Sequence, residues 1–203
     1  MITIDGQDGG GQILRTALSL SMVLGKPFRI TNIRGKRSKP GLMRQHLTCV
    51  KAAQKMTGAT VDGMEISSQE LVFSPGGIRA GEYEFAIGSA GSTTLLFQTI
   101  LPALLSAGET SSVKLIGGTH NPMAPSADFI SRSFIPLLRR MGAELEFSCE
   151  RLGFAPAGGG VISAEVKPVD YLDGLDLSVR SKLVTKRAEI VSANLRPSIV
   201  DDE

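Results

Sequence analysis

The sequence predicts an α/β fold of α+β sandwich layers, built from tandem βαβαββ units, two complete and a third begun. Three observations carry that expectation. Short stretches with alternating apolar residues take turns with longer stretches of helical period. The same order of elements then occurs twice. The glycines and prolines at the element ends also recur at nearly one spacing: Gly25 and Gly108, Pro40 and Pro125, and Gly58 and Gly142 lie 83, 85 and 84 residues apart. Such spacing marks a duplicated unit. The expected boundaries are 1–80 for the first unit, 81–168 for the second, and 169–203 for the start of an incomplete third unit or inserted domain.

Met1–Ile4 reads as a short strand that runs into the turn Gly9-Gly10-Gly11. Ile13, Ala17, Leu20 and Leu24 recur at helical spacing between Gln12 and Leu24, and Gly25 supplies a stop. Phe28–Ile33 alternates apolar and polar residues, as a half-buried strand does. Pro40 precedes a helix to Thr57 with Met43, Leu47 and Val50 on one face, and Gly58 follows it. Ala59–Ile66 and Leu71–Phe73 complete the unit as two strands. The second unit repeats the order: strand Tyr83–Ile87, apolar helix Ser92–Leu105, strand Val113–Ile116, helix Ser126–Met141, then strands Ala143–Ser148 and Val161–Val166. Leu175–Val179 and Ala188–Val191 are expected as strands of the third unit, which belongs either to a fragment or to an element that caps the second sheet.

Composition narrows the classes. With 203 residues, 42% hydrophobic and 21% charged, the chain has the balance of a globular domain. A net charge of +2 names no partner. Cys49 and Cys149 are too far apart for a disulfide framework or a zinc module and read as core thiols. No apolar run approaches the ~20 residues of a membrane span, and no signal segment opens the chain. The expectation is a soluble, cytoplasmic chain with no membrane partner.

The mild net charge hides an asymmetry. Nine of the 22 basic residues lie between Lys26 and Lys55, a stretch without Asp or Glu. Arg34, Lys36, Arg37 and Lys39 share one strand-to-helix loop, which reads as an anion site because guanidinium forks suit phosphate. Arg44, Lys51 and Lys55 form a stripe along one helix face, which reads as a solvated basic surface. Tyr83 and Tyr171 are the only tyrosines and tryptophan is absent, so no stacking platform for single-stranded bases is visible.

Several short motifs bear on chemistry. Gly9-Gly10-Gly11-Gln12-Ile13-Leu14-Arg15 places glycines before a helix start, where backbone N–H groups face an anion and Arg15 reaches it one turn on. It is neither a Walker loop nor a dinucleotide fingerprint. Gln45-His46 stands beside the basic loop. A lone histidine next to an apolar face is commonly a structural group, yet a neutral one here donates to a phosphate. His120 lies in the loop Gly117–Pro122, which answers to the basic loop in the second unit. Gly88–Thr94 reads as a turn with Ser92 as N-cap. Gln98, polar on an apolar helix, is either a ligand contact or a helix–strand hydrogen bond.

Taken in order, Asp8–Arg15, Arg34–His46, Phe85–Ser92, Gly117–Phe129 and Phe154–Val161 resemble the RNA 3′-terminal phosphate cyclase family. The resemblance implies repeated βαβαββ units with a small inserted domain. It also implies ATP-dependent conversion of an RNA 3′-phosphate to a 2′,3′-cyclic phosphate through a histidine–AMP intermediate. By matching positions, Arg15, Arg34, Arg37, Gln45 and His46 resemble the phosphate-binding set. Gln12 and Gln98 resemble nucleotide contacts, Pro125 and Phe129 the wall against adenine, and Asp8 an acidic residue near a divalent metal, Mg or Mn. Two departures stand out. The segment Asp5–Asp8 is shorter than the family pattern and has Asp where Glu is usual. Neither His46 nor His120 matches the nucleophile motif, which the resemblance places in a C-terminal part absent here, so the expectation is a truncated chain with no catalytic histidine, inactive alone. The implied partners are RNA 3′-phosphate ends and ATP, with self-association or a separate C-terminal half. The alternatives are a non-catalytic cyclase-like RNA-binding protein and, more weakly, an enolpyruvyl-transferase-like enzyme.

Overall fold

The computed structural model describes residues 1–179 together with Thr185 and Ala188. The first unit runs β1 (Ile2–Asp5), α1 (Gly11–Leu24), β2 (Phe28–Thr31), α2 (Arg44–Thr57), β3 (Thr60–Asp62) and β4 (Leu71–Ser74). The second runs β5 (Glu82–Ala86), α3 (Thr93–Leu105) and β6 (Ser111–Gly117). A broken helix of α4 (Ala127–Phe129), a π segment (Ile130–Phe134) and α5 (Ile135–Arg140) follows, then β7 (Leu145–Arg151) and β8 (Gly160–Val166). Each unit forms one four-stranded sheet, ordered β1-β2-β4-β3 and β5-β6-β8-β7. In both sheets the first two strands are parallel and the remaining pairings antiparallel. The duplication read from spacing is therefore matched strand for strand.

The two units meet through their helices: α3 packs on α1 and α2 as well as on its own sheet. That position explains its sequence, because a helix flanked on most sides must be apolar nearly all round. Leu96, Phe97, Ile100, Leu101 and Leu104 are all buried, and Phe97 meets Phe147 of β7 at a ring separation of 5.3 Å. Gly25 and Gly58 end α1 and α2 with φ of 64° and 65°, the left-handed geometry that glycine adopts without steric cost.

The structure corrects several boundaries and faces. The buried stripe of α1 is Leu14, Ala17, Leu18, Ser21 and Met22, whereas Leu20 and Leu24 are 54% and 58% exposed. Two apolar stripes compete on this helix, and contact with the sheet and α2 selects one. On α2 the buried stripe is His46, Cys49, Val50, Ala53 and Met56, while Met43 and Leu47 are only half-buried. Residues 40–43 are loop and α2 begins at Arg44. The expected Ser126–Met141 helix contains a π segment over Ile130–Phe134, the single-turn widening that interrupts some α-helices. Leu175–Val179 carries no strand, and Ala188–Val191, apart from Ala188, lies outside the described residues. Among the described residues no helix is long and apolar enough to cross a membrane.

Candidate functional site

The N-terminus of α1 is open. Its N-cap, Gly10, supplies no side-chain hydrogen bond, and the first turn holds no acidic residue. The amides there point out without an intrahelical partner and favour negative charge. The corresponding turn in the second unit is closed: Ser92 caps α3 by accepting from the Leu95 amide at 3.1 Å. Duplication made two helix starts of this kind, and only the first is left free.

Three side chains approach that open start. A methyl group added at Gly11 would collide with His46 Nε2 and lie 2.7 Å from Arg15 Nη1. One added at Gly10 would lie 3.1 Å from Arg37 Nη2. Glycine is thus required at Gly11, where the buried imidazole closes on the backbone itself, while at Gly10 the exposed guanidinium needs to give only slightly.

His46 sits in the first turn of α2 and is 8% exposed. The Met43 amide donates to its Nδ1 at 3.1 Å. That bond engages the ring's lone pair and leaves the proton on Nε2, the atom facing Gly11. Burial, then the nearby Arg34 and Arg15 charges, hold its pKa down at about 4. His46 is therefore a neutral N–H donor aimed at the mouth of α1.

The guanidinium groups share this neighbourhood. Burial lowers the Arg15 pKa. Burial, then the charge of Arg37, lowers that of Arg34. Arg15 Nη2 donates to Gln12 Oε1 at 2.8 Å, and Gln12 Nε2 donates to Thr16 Oγ1 at 3.0 Å, so the first turns of α1 hold the arginine in place. Arg34 acts differently from a free ligand. Its Nη1 donates to the carbonyls of Lys39 and Gly41 at 2.6 and 2.8 Å, clamping its own loop. Asn32 and Arg34 have φ of 52° and 56°, a conformation that costs non-glycine residues of order 1–3 kcal/mol and concentrates at functional sites. The basic loop is held in a strained shape that presents Arg37.

Gln45 and Arg44 tie the two units together beside the site. Gln45 Oε1 accepts from the Ser92 amide at 2.9 Å, and Arg44 Nη1 donates to the Gly88 carbonyl at 3.1 Å. These contacts span 47 and 44 residues, a separation no local pattern announces. Gln12, Arg15 and Gln98 line a cavity of about 180 Å³ between α1 and α3, together with Thr16, Ser19, Leu20, Leu95 and Thr99. Among the described residues Gln98 makes no helix–strand hydrogen bond; it lines this cavity and also a second one with Leu101, Pro102 and Leu105. Pro125 and Phe129 are not on that lining. Pro125 is anchored at the start of α3, where Thr94 Oγ1 donates to its carbonyl at 2.7 Å, and Phe129 is 49% exposed.

His120 belongs to a separate, closed network. Its Nε2 meets Asp128 Oδ2 at 2.8 Å and its Nδ1 meets Thr119 Oγ1 at 2.8 Å, which leaves neither nitrogen open. Asp8 is exposed and its carboxylate pairs with Lys36. Among the described residues no three His, Cys, Asp or Glu side chains are grouped to hold a metal. Asp8 alone would be one ligand for a Mg²⁺ that keeps several waters and takes its other oxygens from substrate phosphates. Cys49 is fully buried, and burial raises its thiol to about 11, as an inert core residue requires.

Comparisons with known proteins bear on this arrangement. The chain resembles a solved EPSP synthase from Acinetobacter baumannii at 15% identity and a TM-score of 0.39, over 84% of this chain and 48% of that one, a likeness too slight to carry an argument. It is 52% identical over 202 residues to the RNA 3′-terminal phosphate cyclase of Ectopseudomonas mendocina (strain ymp), which covers all of this chain and 59% of the relative. The chain thus spans about three fifths of that relative's length. The family model for RNA 3′-terminal phosphate cyclase matches residues 7–201, and with that extent of agreement the chain belongs to this family.

Proposed function

We propose that this chain seats the 3′-terminal phosphate of RNA for ATP-dependent closure to a 2′,3′-cyclic phosphate, the ligase-class reaction that its family implies, in the cytoplasm. One observation carries the reading. Arg15, Arg37 and the Nε2–H of His46 converge on an uncapped helix start whose first turn carries no acidic residue. Arg15 is partly buried and pairs with no carboxylate among the described residues, so a bound anion relieves it, and a terminal phosphate offers more oxygens to this donor set than an internal diester does. Arg34 shapes the loop, and Gln45 sets the second unit against the site. On this reading Gln12, Arg15 and Gln98, which line the α1–α3 cavity, contact ATP, and Pro125, held at the start of α3 by Thr94, walls the adenine together with Phe129.

The histidines favour a division of labour. A histidine that attacks the α-phosphorus of ATP needs a free ring lone pair. In His46 that pair accepts the Met43 amide, and in His120 both nitrogens are engaged. These 203 residues alone therefore form no covalent AMP adduct. The same observation favours a second reading, a non-catalytic cyclase-like RNA binder.

Two measurements test the proposal. Incubation with radiolabelled ATP and Mg²⁺ or Mn²⁺ is expected to leave the protein unlabelled, and an acid-labile adduct would overturn the assignment of the histidines. RNA ending in 3′-phosphate is expected to bind at least tenfold more tightly than RNA ending in 3′-hydroxyl. Equal affinities would overturn the terminal-phosphate site and leave the plain RNA binder.

A further inference from the structure

A shallow groove of about 260 Å³ runs between α2 and the edge strand β5. It is lined by Arg44, Leu47, Thr48 and Lys51 on one side and by residues 84–87 on the other. Its upper end is the Gly88 turn, which Arg44 holds and which adjoins the His46 end of α2. Further along, Lys55 reaches across from α2, with Nζ 5.7 Å from the Tyr83 ring centre and 5.6 Å from that of Phe85. Arg44, Lys51 and Lys55 are all exposed, and neither Lys51 nor Lys55 is ion-paired among the described residues. Glu84 also borders the groove, where it pairs with Lys114 at 3.7 Å.

We infer that this groove is the track for the RNA strand leading up to the 3′ end, with Lys51 and Lys55 neutralising its backbone phosphates. The inference rests on the proposed terminal-phosphate site and adds the path by which the rest of the substrate leaves it. Eleven residues of helix separate Arg44 from Lys55, or about 16 Å at the helical rise. A stacked strand carries one phosphate per ~3.4 Å, so the stripe faces on the order of five of them. Three cations from an acid-free stretch of 30 residues face a groove whose one carboxylate, Glu84, is paired with Lys114. This stripe begins beside the proposed phosphate site, so it is complementary to a polyanion anchored there. Tyr83 and Phe85 are 8% exposed beneath Lys55. They brace the lysine rather than stack bases, so the track binds backbone without reading sequence.

The test compares wild type with the double variant Lys51→Ala/Lys55→Ala, and with Lys114→Ala as a control. Binding of 3′-phosphorylated RNA of 2 and of 12 nucleotides is measured from 50 to 200 mM salt. Each phosphate neutralised on a single strand contributes about −0.7 to the slope of log affinity against log salt. The double variant is expected to lose about 1.4 from that slope for the 12-mer, or about sevenfold of its salt sensitivity over this range. The dinucleotide is expected to bind unchanged. A 12-mer slope equal to wild type would overturn the track, as would an equal loss for the dinucleotide or for Lys114→Ala. An equal lysine dependence for a poly-glutamate peptide of the same charge would also overturn it, since the groove would then prefer no nucleic acid. A 12-mer ending in 3′-hydroxyl separates the two ideas: it lacks the terminal phosphate, yet is expected to show the same loss of slope.

Discussion

Replacing His46 by asparagine probes the electrostatics of the site through folding stability. The folded pKa of about 4 lies below the ordinary value of 6.5. The unfolded chain therefore binds the extra proton first as pH falls. Stability from the neutral imidazole is fully present above pH 6.5 and is lost progressively as pH drops through 4. At 1.36 kcal/mol per pKa unit the contribution is about 3 kcal/mol. Asparagine does not titrate and can still accept the Met43 amide, so its cost at neutral pH is separable from the pH effect. Urea denaturation of both proteins at half-unit steps from pH 4 to 7.5 gives a difference curve in which His120 and the carboxylates largely cancel. Wild type is expected to lose about 3 kcal/mol relative to the variant across that window. A flat difference curve would refute the reasoning, because it would mean that His46 is neither buried nor pressed by Arg34 and Arg15.

Further tests address the glycine turn and the closed helix start. Gly11→Ala sets a methyl against His46 Nε2 and Arg15 Nη1. It is expected to cost 1–3 kcal/mol, about the usual cost of overpacking, and to weaken 3′-phosphate dinucleotide binding at least tenfold by calorimetry. Unchanged affinity would count against the hollow. Ser92→Ala removes the cap of α3 and is expected to cost about 1 kcal/mol in urea. It is expected to leave dinucleotide affinity unaltered, because the proposed phosphate seat is the first helix start alone.

Local pattern carried the fold a long way, and the reasons are specific. Strand alternation and helical period depend on neighbours two to four residues apart, so the order of elements and the duplicated unit were readable from the chain. Gly25 and Gly58 announced their helix ends because few other residues adopt a left-handed turn cheaply. Which stripe of α1 is buried was not readable. Ile13–Leu24 and Leu14–Met22 are both apolar at helical spacing, and only the neighbouring elements distinguish them.

The site divides in the same way. Arg15, Arg37 and His46 could be nominated from residue type and from the glycine turn, since phosphate chemistry constrains which side chains can serve. Their convergence, the neutrality of His46 and its proton on Nε2 arise from burial and from the Met43 amide. The clamping role of Arg34, the bridge from Gln45 to Ser92 and the pairing of Asp8 with Lys36 are likewise products of packing. Residue order specified the candidates because propensity and charge are properties of single side chains. The folded chain decided their roles because hydrogen-bond partners and desolvation exist only once distant segments meet.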